Sequence, residues 1–292
     1  MKQALMKNVT PLLKPAIKAS LKRFYSADKP VTALETAERV LVFAPHIDDE
    51  TIGLGGTIRR YADMGAQVTI AIITDGKNSN AAPVDADKLA ETRKQELRSI
   101  QPLLGFTDVR YLDYPDSQIN EVESSERFQQ LIEDVRPDTV YVTSLIDAHP
   151  DHVYSAHLVA SALKQSAYQP NIVREYEINC PVPPAYINCI IDITDQFLVK
   201  KQATEAFKSQ VIAFDGFLAL AEIKSSQTKQ PNVRYVETFI ENTAPGFIQA
   251  AQQLAQGDRH YEQHFKQANR TVTLWWAIFK NLKLKKAIYK SR

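Results

Sequence analysis

The chain has 292 residues, of which 44% are hydrophobic and 24% are charged, and its formal net charge is +1. This composition excludes global disorder and a collagen-like fibre, and the length suits one large domain or two small ones. Two cysteines, Cys180 and Cys189, are too few for a disulfide framework, and their spacing matches no zinc motif, so we expect a reducing compartment.

The near-zero net charge hides an uneven distribution. Residues 1–27 hold six basic residues and residues 265–292 hold eight, and neither segment holds an acidic one. The other 21 basic residues lie in 28–264 with all 34 acidic residues, which gives this middle part a net charge of −13. We predict a basic amphipathic N-terminal extension over 1–35, a central domain over 36–243 and a helical basic C-terminal extension over 244–292.

The central region alternates between buried apolar runs and segments with helical spacing. Strands are predicted at 39–44, 67–74, 109–112 and 138–143, and helices at 51–65, 87–104, 124–136 and 153–167. This alternation predicts an α/β fold, with a Rossmann-like, mostly parallel sheet and helices on both faces. Further strands are predicted at 172–179, 186–193 and 235–240, and a helical region at 195–228.

Glycines open the first predicted helix, at Gly53-Leu54-Gly55-Gly56. Dinucleotide-binding folds also place glycines there, but this run is not G-x-G-x-x-G, and the preceding carboxylates would repel a pyrophosphate. We interpret these glycines as positions where the helix packs closely on the sheet.

Polar residues follow two of the predicted strands. The first strand runs into His46-Ile47-Asp48-Asp49-Glu50, and the fourth is followed by His149-Pro150-Asp151-His152. Because open α/β sheets bind ligands beyond the carboxyl ends of their strands, we expect a site where the two clusters meet.

The residue types in these clusters are those of a catalytic metal site. Such a site takes three imidazole or carboxylate ligands and leaves a fourth position for water, and His46, Asp49 and His152 can supply them. Zn²⁺ and Fe²⁺ both suit this ligand set. The metal lowers the pKa of its water toward about 7, and Asp48 is available as the general base that accepts the proton.

Each cluster alone also has an ordinary structural explanation. A lone histidine is commonly a core or surface residue, and acids at a helix start favour the helix dipole. Two clusters at adjacent strand ends make that explanation much weaker. For the other three histidines, His157, His260 and His264, we favour a structural role.

The order of these motifs resembles the PIG-L (LmbE-like) family of zinc-dependent de-N-acetylases. The resemblance is carried by His46-Ile47-Asp48-Asp49-Glu50, Thr74-Asp75-Gly76 and His149-Pro150-Asp151-His152, with weaker matches at 91–96, 112–116, 208–210 and 237–239. It covers about residues 38–240. Ile47 departs from the family's usual proline, and since this position supplies no ligand, we expect only a small change in the loop.

The resemblance implies roles for eight residues. It makes His46, Asp49 and His152 the metal ligands and Asp48 the general base. It further implies that His149 polarises the carbonyl or protonates the leaving amine, and that Asp151 orients His149 as carboxylates commonly do near metals. It implies that Arg93 and Asp116 contact the sugar.

The implied reaction is hydrolysis of an N-acetyl group on an N-acetylglucosamine-type sugar, in a glycan or lipid-linked substrate. The alternative is a non-catalytic glycan-binding or scaffold module that keeps the fold. The complete ligand set beside Asp48 favours the enzyme.

The two basic ends suggest a partner surface. Residues 1–25 have amphipathic spacing, although Pro11 and Pro15 predict two short helices. The residues on the predicted apolar face are Leu5, Val9, Leu12, Leu13, Ala16 and Phe24. Near the other end, tryptophans at 275 and 276 lie among lysines. This pattern favours an anionic membrane surface. Packing of both ends on the body is the alternative, and no nucleic acid is expected because the middle of the chain is acidic.

No apolar run reaches the roughly 18–20 residues of a membrane-spanning helix, and no apolar core of a secretory signal is present. We therefore predict a cytoplasmic protein, peripheral on the inner face of the membrane. The basic leader also fits a mitochondrial presequence.

Overall fold

The fold is built on a seven-stranded sheet. It is seen in a computed structural model that describes residues 2–78, 85–210 and 212–292, with side chains from residue 13 onward in these ranges. The strands are β1 Arg39–Ala44, β2 Gln67–Thr74, β3 Asp108–Tyr114, β4 Thr139–Thr143, β5 Ile172–Tyr176, β6 Cys189–Asp192 and β7 Val236–Asn242.

Helices connect and flank these strands. They are α1 Lys2–Tyr25, α2 Asp49–Asp63, α3 Ala86–Leu104, α4 Glu126–Val135, α5 Pro150–Gln165, α6 Phe197–Thr204, α7 Asp215–Lys224, α8 Ala244–Leu254, α9 Leu274–Phe279 and α10 Leu282–Lys290. Helices α2, α3 and α6 pack together as one layer, and α4, α5 and α8 pack together as a second.

The strand order is β3-β2-β1-β4-β5-β7-β6, which confirms the predicted Rossmann-like class. The first five strands in this order are parallel, and β7 runs antiparallel to both β5 and β6. The order reverses between β1 and β4, and these adjacent strands pair with Val40 opposite Thr139. A crevice therefore opens beyond their carboxyl ends, where both predicted clusters lie.

Central strands form the core. Residues Val40–Ala44 of β1 and Val140–Val142 of β4 are fully buried, as continuous apolar runs in a parallel sheet predict. The glycines of α2 pack closely on this core. A Cβ at Gly53 would lie 2.4 Å from Tyr176 Cδ2, and one at Gly56 would lie 2.8 Å from the Ile193 side chain. This supports the packing interpretation of the glycine run.

The prediction of two short N-terminal helices is wrong, because α1 is one helix across Pro11 and Pro15. Its later half is held by tertiary contacts, which outweigh the low helix propensity of proline. Leu21 and Tyr25 are fully buried, and Lys18 and Lys22 both pair with Glu222 of α7. The predicted apolar face is wrong where it can be checked, because Leu13 and Ala16 are exposed and the fully buried residues of this helix are Leu21 and Tyr25. Phe24 is half-buried, and Leu5, Val9 and Leu12 lie outside the described side chains.

The predicted helical region 195–228 is also interrupted. Helix α6 ends at Thr204 and α7 begins at Asp215, and a 3₁₀ turn, Ser225–Gln227, follows α7. The loop between α6 and α7 is held against α3, since Ser209 N–H and Oγ–H donate to the Glu96 carboxylate. The interruption brings Gln210 toward the sheet edge, where its Nε2 donates to Ile47 O.

The C-terminal segment 265–292 packs on the body. Lys285 is fully buried, with its Nζ donating to Ala277 O, and Arg292 pairs with the fully buried Glu175 of β5. The boundaries at 35/36 and 243/244 stay predictions. Of the helices within the described ranges, none has both the length and the apolarity needed to cross a bilayer.

Candidate metal centre

Two strand-end loops build the site at the point where the strand order reverses. His46 follows β1 and begins a turn in which its N–H donates to Asp49 Oδ2 at 2.9 Å. Helix α5 begins at Pro150, and His149 caps it by accepting from Asp151 N–H through Nδ1 at 3.2 Å. The two loops meet across adjacent strands.

His46, Asp49 and His152 bring three ligand atoms to one point. His46 Nδ1 lies 3.3 Å from Asp49 Oδ2 and 3.3 Å from His152 Nε2, and His152 Nε2 lies 3.2 Å from Asp49 Oδ2. Ligand atoms about 2.1 Å from a tetrahedral ion would lie about 3.4 Å from one another. The donor set and its spacing therefore fit a divalent metal, and a metal could be held here.

A second group overlaps with the first. His46, His149 and Asp151 also place ligand atoms within 4.8 Å of one another. We favour the first group because Asp49 and His152 are both almost fully buried, and because its three atoms match the spacing of a single ion.

Asp48 adjoins this triad in a strained conformation. Its φ is +124° and its ψ is −27°, a combination that residues with a Cβ rarely adopt. The Asp48 N–H donates to Glu50 Oε2 at 3.1 Å, and the residue is 4% exposed. Such strain is typical of functional sites, and it persists because the surrounding structure holds it in place.

Asp147 is a contributor that sequence reasoning missed. Its Oδ1 lies 3.2 Å from His152 Nδ1, while its carboxylate accepts from the N–H groups of His149, Asn179 and Cys180. A carboxylate this close to the far nitrogen of a ligand histidine favours one orientation of the ring through its charge, although His152 Nδ1 has no well-aligned hydrogen bond among the described residues. The available signal was an acid in the same loop as two histidines.

Asp151 contacts a different histidine from the one predicted. Its Oδ2 lies 3.2 Å from His46 Nε2 and accepts from Ser117 N–H at 2.8 Å, so the carboxylate is placed at His46 rather than at His149. The contact of Asp151 with His149 is made by its backbone N–H, which donates to His149 Nδ1. Since Nδ1 of His149 accepts, the proton of the neutral ring lies on Nε2.

Arg93 and Asp116 lie at the same centre. Asp116 Oδ1 is 3.4 Å from His46 Nε2, and its Oδ2 is 3.9 Å from Arg93 Nη1. Arg93 Nη1 also donates to Gly76 O at 2.6 Å, whereas its buried Nε has no partner among the described residues. The fold thus brings together all eight residues singled out from the sequence.

The carboxylates dominate the electrostatics. Burial would lower the pKa of His152, but Asp49 and Asp147 outweigh it and raise that pKa to about 10. Burial, together with Asp49 and Glu50, holds the pKa of Asp48 well above its usual range. For His149, burial and the positive charges of His46 and His152 lower the pKa to about 4. A site with this excess of negative groups suits a cation.

The cluster forms one side of a pocket of about 330 Å³. The described residues that line it are His46, Asp48, Asp49, Ile52, Asn78, Arg93, Asp116, Ser117, His149, His152, Ile178, Asn179, Gln210, Ile212, Phe217, Gln267 and Asn269. A pocket of this size suits a small polar ligand.

This fold and site define a doubly wound α/β protein with a candidate metal centre at its switch point. Residues 41–163 match the family model described as PIG-L, GlcNAc-PI de-N-acetylase. The match covers the segment that holds both polar clusters, in agreement with the resemblance that the motifs carry.

Curated relatives include two sugar deacetylases. The diacetylchitobiose deacetylase of Thermococcus kodakarensis is 29% identical over 59% of this chain and 70% of its own length. The 1D-myo-inositol 2-acetamido-2-deoxy-alpha-D-glucopyranoside deacetylase of Kineococcus radiotolerans is 30% identical over 56% of this chain. The match spans only 52% of the Kineococcus protein.

Solved structures share the fold. The N,N'-diacetylchitobiose deacetylase of Pyrococcus horikoshii has a TM-score of 0.62 at 24% identity, covering 72% of this chain and 85% of that one. The 4-carboxy-2-hydroxymuconate hydratase GalB of Pseudomonas putida has a TM-score of 0.56 at 19% identity, covering 70% and 95%. Because these two proteins carry different activities, the fold alone does not assign a reaction.

Proposed function

We propose that the protein is a metal-dependent amide hydrolase that removes the N-acetyl group from an N-acetylglucosamine-type sugar. The observation that carries this proposal is the triad of His46, Asp49 and His152, which lies with Asp48 in one pocket of a chain that matches the PIG-L family model. The deacetylase activities of both curated relatives support the choice of reaction.

Each side chain then has a distinct task. His46, Asp49 and His152 would hold Zn²⁺ or Fe²⁺, which supplies Lewis-acid polarisation and acidifies water when bound. Asp48 takes a proton from the attacking water as general base. His149 donates its Nε2–H to the amide carbonyl oxygen or, when protonated, gives a proton to the leaving amine.

Other residues position these groups. Asp147 orients His152 and Asp151 orients His46 through the contacts described above. Arg93 and Asp116 contact the hydroxyl groups of the sugar, in keeping with their place on the pocket lining. The catalytic domain would correspond to residues 36–243.

The test combines metal analysis with product analysis. Purified protein is assayed for bound metal, treated with a chelator, and reloaded separately with Zn²⁺ and Fe²⁺. Each form is given a panel of N-acetylglucosamine glycosides, and acetate and free amine are quantified. We expect one metal per chain and equal amounts of the two products. Metal-loaded protein that binds the glycosides and releases no acetate would favour the non-catalytic module.

We further propose contact with an anionic membrane surface through α9. Trp275 and Trp276 are 52% and 55% exposed, and Lys266 lies 5.5 Å from the Trp276 ring centroid. Exposed tryptophans beside lysines suit the headgroup region of a bilayer. The N-terminal helix contributes less, because Lys14, Lys18 and Lys22 pair with Asp215 and Glu222.

Liposome sedimentation tests this surface. We expect the protein to bind anionic vesicles and ignore neutral ones, and the double variant Trp275→Ala, Trp276→Ala to lose most of that binding. Leu198→Ala, which removes an apolar side chain 75% exposed on α6, is the matched control. Failure of the wild type to bind anionic vesicles at low salt would refute membrane contact and the predicted peripheral, inner-face location.

A further inference from the structure

Part of the pocket lining, called here the second wall, consists of four residues that the roles above do not use. Gln267 and Asn269 line it from the C-terminal segment, and Ile212 and Phe217 line it from α7 and the residues before it. None of the four belongs to the strand-end loops, and Gln267 and Asn269 lie more than 100 residues beyond the match to the family model.

Contacts with the start of α7 hold this part of the C-terminal segment in place. Gly216 N–H donates to Asn269 O at 3.0 Å, and Thr271 Oγ1 donates to Asp215 Oδ2 at 2.8 Å. A Cβ at Gly216 would lie 2.1 Å from Ala268 O, so only glycine allows this close approach. Ala268 is fully buried, and Gln267 and Asn269 on either side of it remain accessible.

The two sides of the pocket differ in chemistry. Its ionisable lining residues in the described chain are the metal cluster with Arg93, whereas the second wall offers two amides and two apolar side chains. An amide both donates and accepts hydrogen bonds, which matches a hydroxyl group. Phe217 and Ile212 offer apolar surface to the C–H faces of a sugar ring. Lys266 and Arg270 flank residues 267–269 but are not among the residues that line the pocket.

We propose that Gln267, Asn269 and Phe217 form a binding site for the group attached to the N-acetylglucosamine unit, and that this group is a neutral sugar or polyol. The proposal rests on the proposed function, since it assigns the sugar to be deacetylated to the metal side of the pocket. It makes the C-terminal segment a determinant of substrate specificity.

Paired substrates test the assignment. The variants Asn269→Ala and Gln267→Ala are assayed on methyl N-acetylglucosaminide and on a disaccharide of two β-1,4-linked N-acetylglucosamine units. Each variant should lower kcat/KM for the disaccharide about 3–10-fold, the effect of one lost hydrogen bond, through a higher KM. The methyl glycoside should change less than about 2-fold, because it lacks the attached group that these residues would bind. Equal losses on both substrates, or no loss on either, would overturn the proposal.

The charge of the attached group is tested separately. N-acetylglucosamine 1-phosphate is compared with the methyl glycoside and the disaccharide on the wild type. We expect the disaccharide to have the highest kcat/KM. A clear preference for the phosphate, removed by Arg270→Ala, would contradict a neutral group.

A second variant tests the same assignment by displacing residues 268–270 from the start of α7. Gly216→Ala should push residues 268–270 away and raise KM for the disaccharide, while bound metal stays at one per chain. Gly257→Ala is the matched control, since a Cβ there would lie at an ordinary 3.7 Å from Leu254 O. Loss of the metal from Gly216→Ala would show a general structural role.

Direct binding separates this inference from the proposed reaction. If the wild type releases no acetate from any probe, the proposed function fails and the wall is still tested by calorimetric titration with the disaccharide. Tighter binding to the wild type than to Asn269→Ala would support the wall. Equal binding, or none, would refute it.

Discussion

The strand-end loops at 46–49 and 147–152 and the C-terminal segment 265–292 both concentrate charged residues, but they use them in opposite ways. In the loops, four acidic and three histidine side chains crowd together, and Asp48 holds a strained backbone conformation. In the segment, Arg292 pairs with buried Glu175, and buried Lys285 donates to a backbone carbonyl. The loops therefore hold their charged groups crowded and one residue strained, whereas the charged residues Lys285 and Arg292 of the segment are partnered and contribute to packing.

This difference leads us to expect different effects from substitutions in the two regions. Changes in the loops should remove metal or activity while the fold survives, because the crowded groups there are not needed for packing. Changes in the segment should lower the free energy of unfolding while the metal remains.

The largest effect is expected from the metal ligands. His46→Ala, Asp49→Ala and His152→Ala should each reduce bound metal to near zero and activity to background, because a three-ligand set loses its geometry with one member. Metal is measured by elemental analysis and activity by acetate release. His260→Ala is the control, since this histidine is 59% exposed and is not among the residues that line the pocket. Full metal content in all three variants would exclude this triad.

The second largest effect is expected from Asp48→Asn, which should lower kcat about 10²–10⁴-fold without loss of the metal. The amide preserves the shape of the side chain and removes its basicity. Asp63→Asn, at the exposed end of the same helix, is the control. Normal turnover by metal-loaded Asp48→Asn would show that another group accepts the proton.

In the segment, Arg292→Ala should lower the free energy of unfolding by about 3 kcal/mol, because it leaves the buried Glu175 carboxylate without its cation. Denaturant unfolding measures this change. The exposed neighbour Lys290 is the control, and Lys290→Ala should change stability by less than about 0.5 kcal/mol. An unchanged unfolding curve for Arg292→Ala would remove the contrast between the two regions.

Asp147→Asn should weaken metal binding about 10–100-fold while leaving the three ligands in place. The amide would still accept from the Asn179 and Cys180 N–H groups, but it loses the charge beside His152 Nδ1. Competition with a chelator measures the affinity. Asp138→Asn changes an acid at the other end of β4, where it accepts from Glu38 N–H, and serves as the control. Equal metal affinity in Asp147→Asn and the wild type would show that this contact does not tune the metal.

The structure of a segment could be predicted from the sequence where the residues that determine it lie close together in the chain. The strands and helices of the βα units have local signals, such as the left-handed Gly105 that ends α3. The metal residues could be predicted because each cluster is contiguous and parallel strands bring their ends together. Their roles remain predictions.

Burial of Lys285 and the place of Asn269 on the pocket could not be predicted, because both depend on residues far away in sequence. The same holds for α1, where packing on α7 outweighs the local effect of Pro15. Asp147 was missed for a different reason. Its place in a loop with two histidines was a signal, but that signal does not say which nitrogen the carboxylate contacts, and only the turn into α5 brings it to His152.

The smallest expected effect is a difference in stability between two variants of Asp48, and it tests whether the backbone of this residue is strained. If Asp48 is strained by its φ of +124°, Asp48→Gly should be more stable to denaturant than Asp48→Ala by about 1 kcal/mol, because both variants lack the carboxylate and only glycine relieves the strain. Without strain the order reverses, since glycine normally costs about 0.5–1 kcal/mol relative to alanine in regular structure. Unfolding of both variants is measured in the chelator-treated state, so that differences in metal affinity do not enter. Greater stability of the alanine variant would mean that the loop holds Asp48 without stored strain, and crowded charge alone would then distinguish the strand-end loops from the segment.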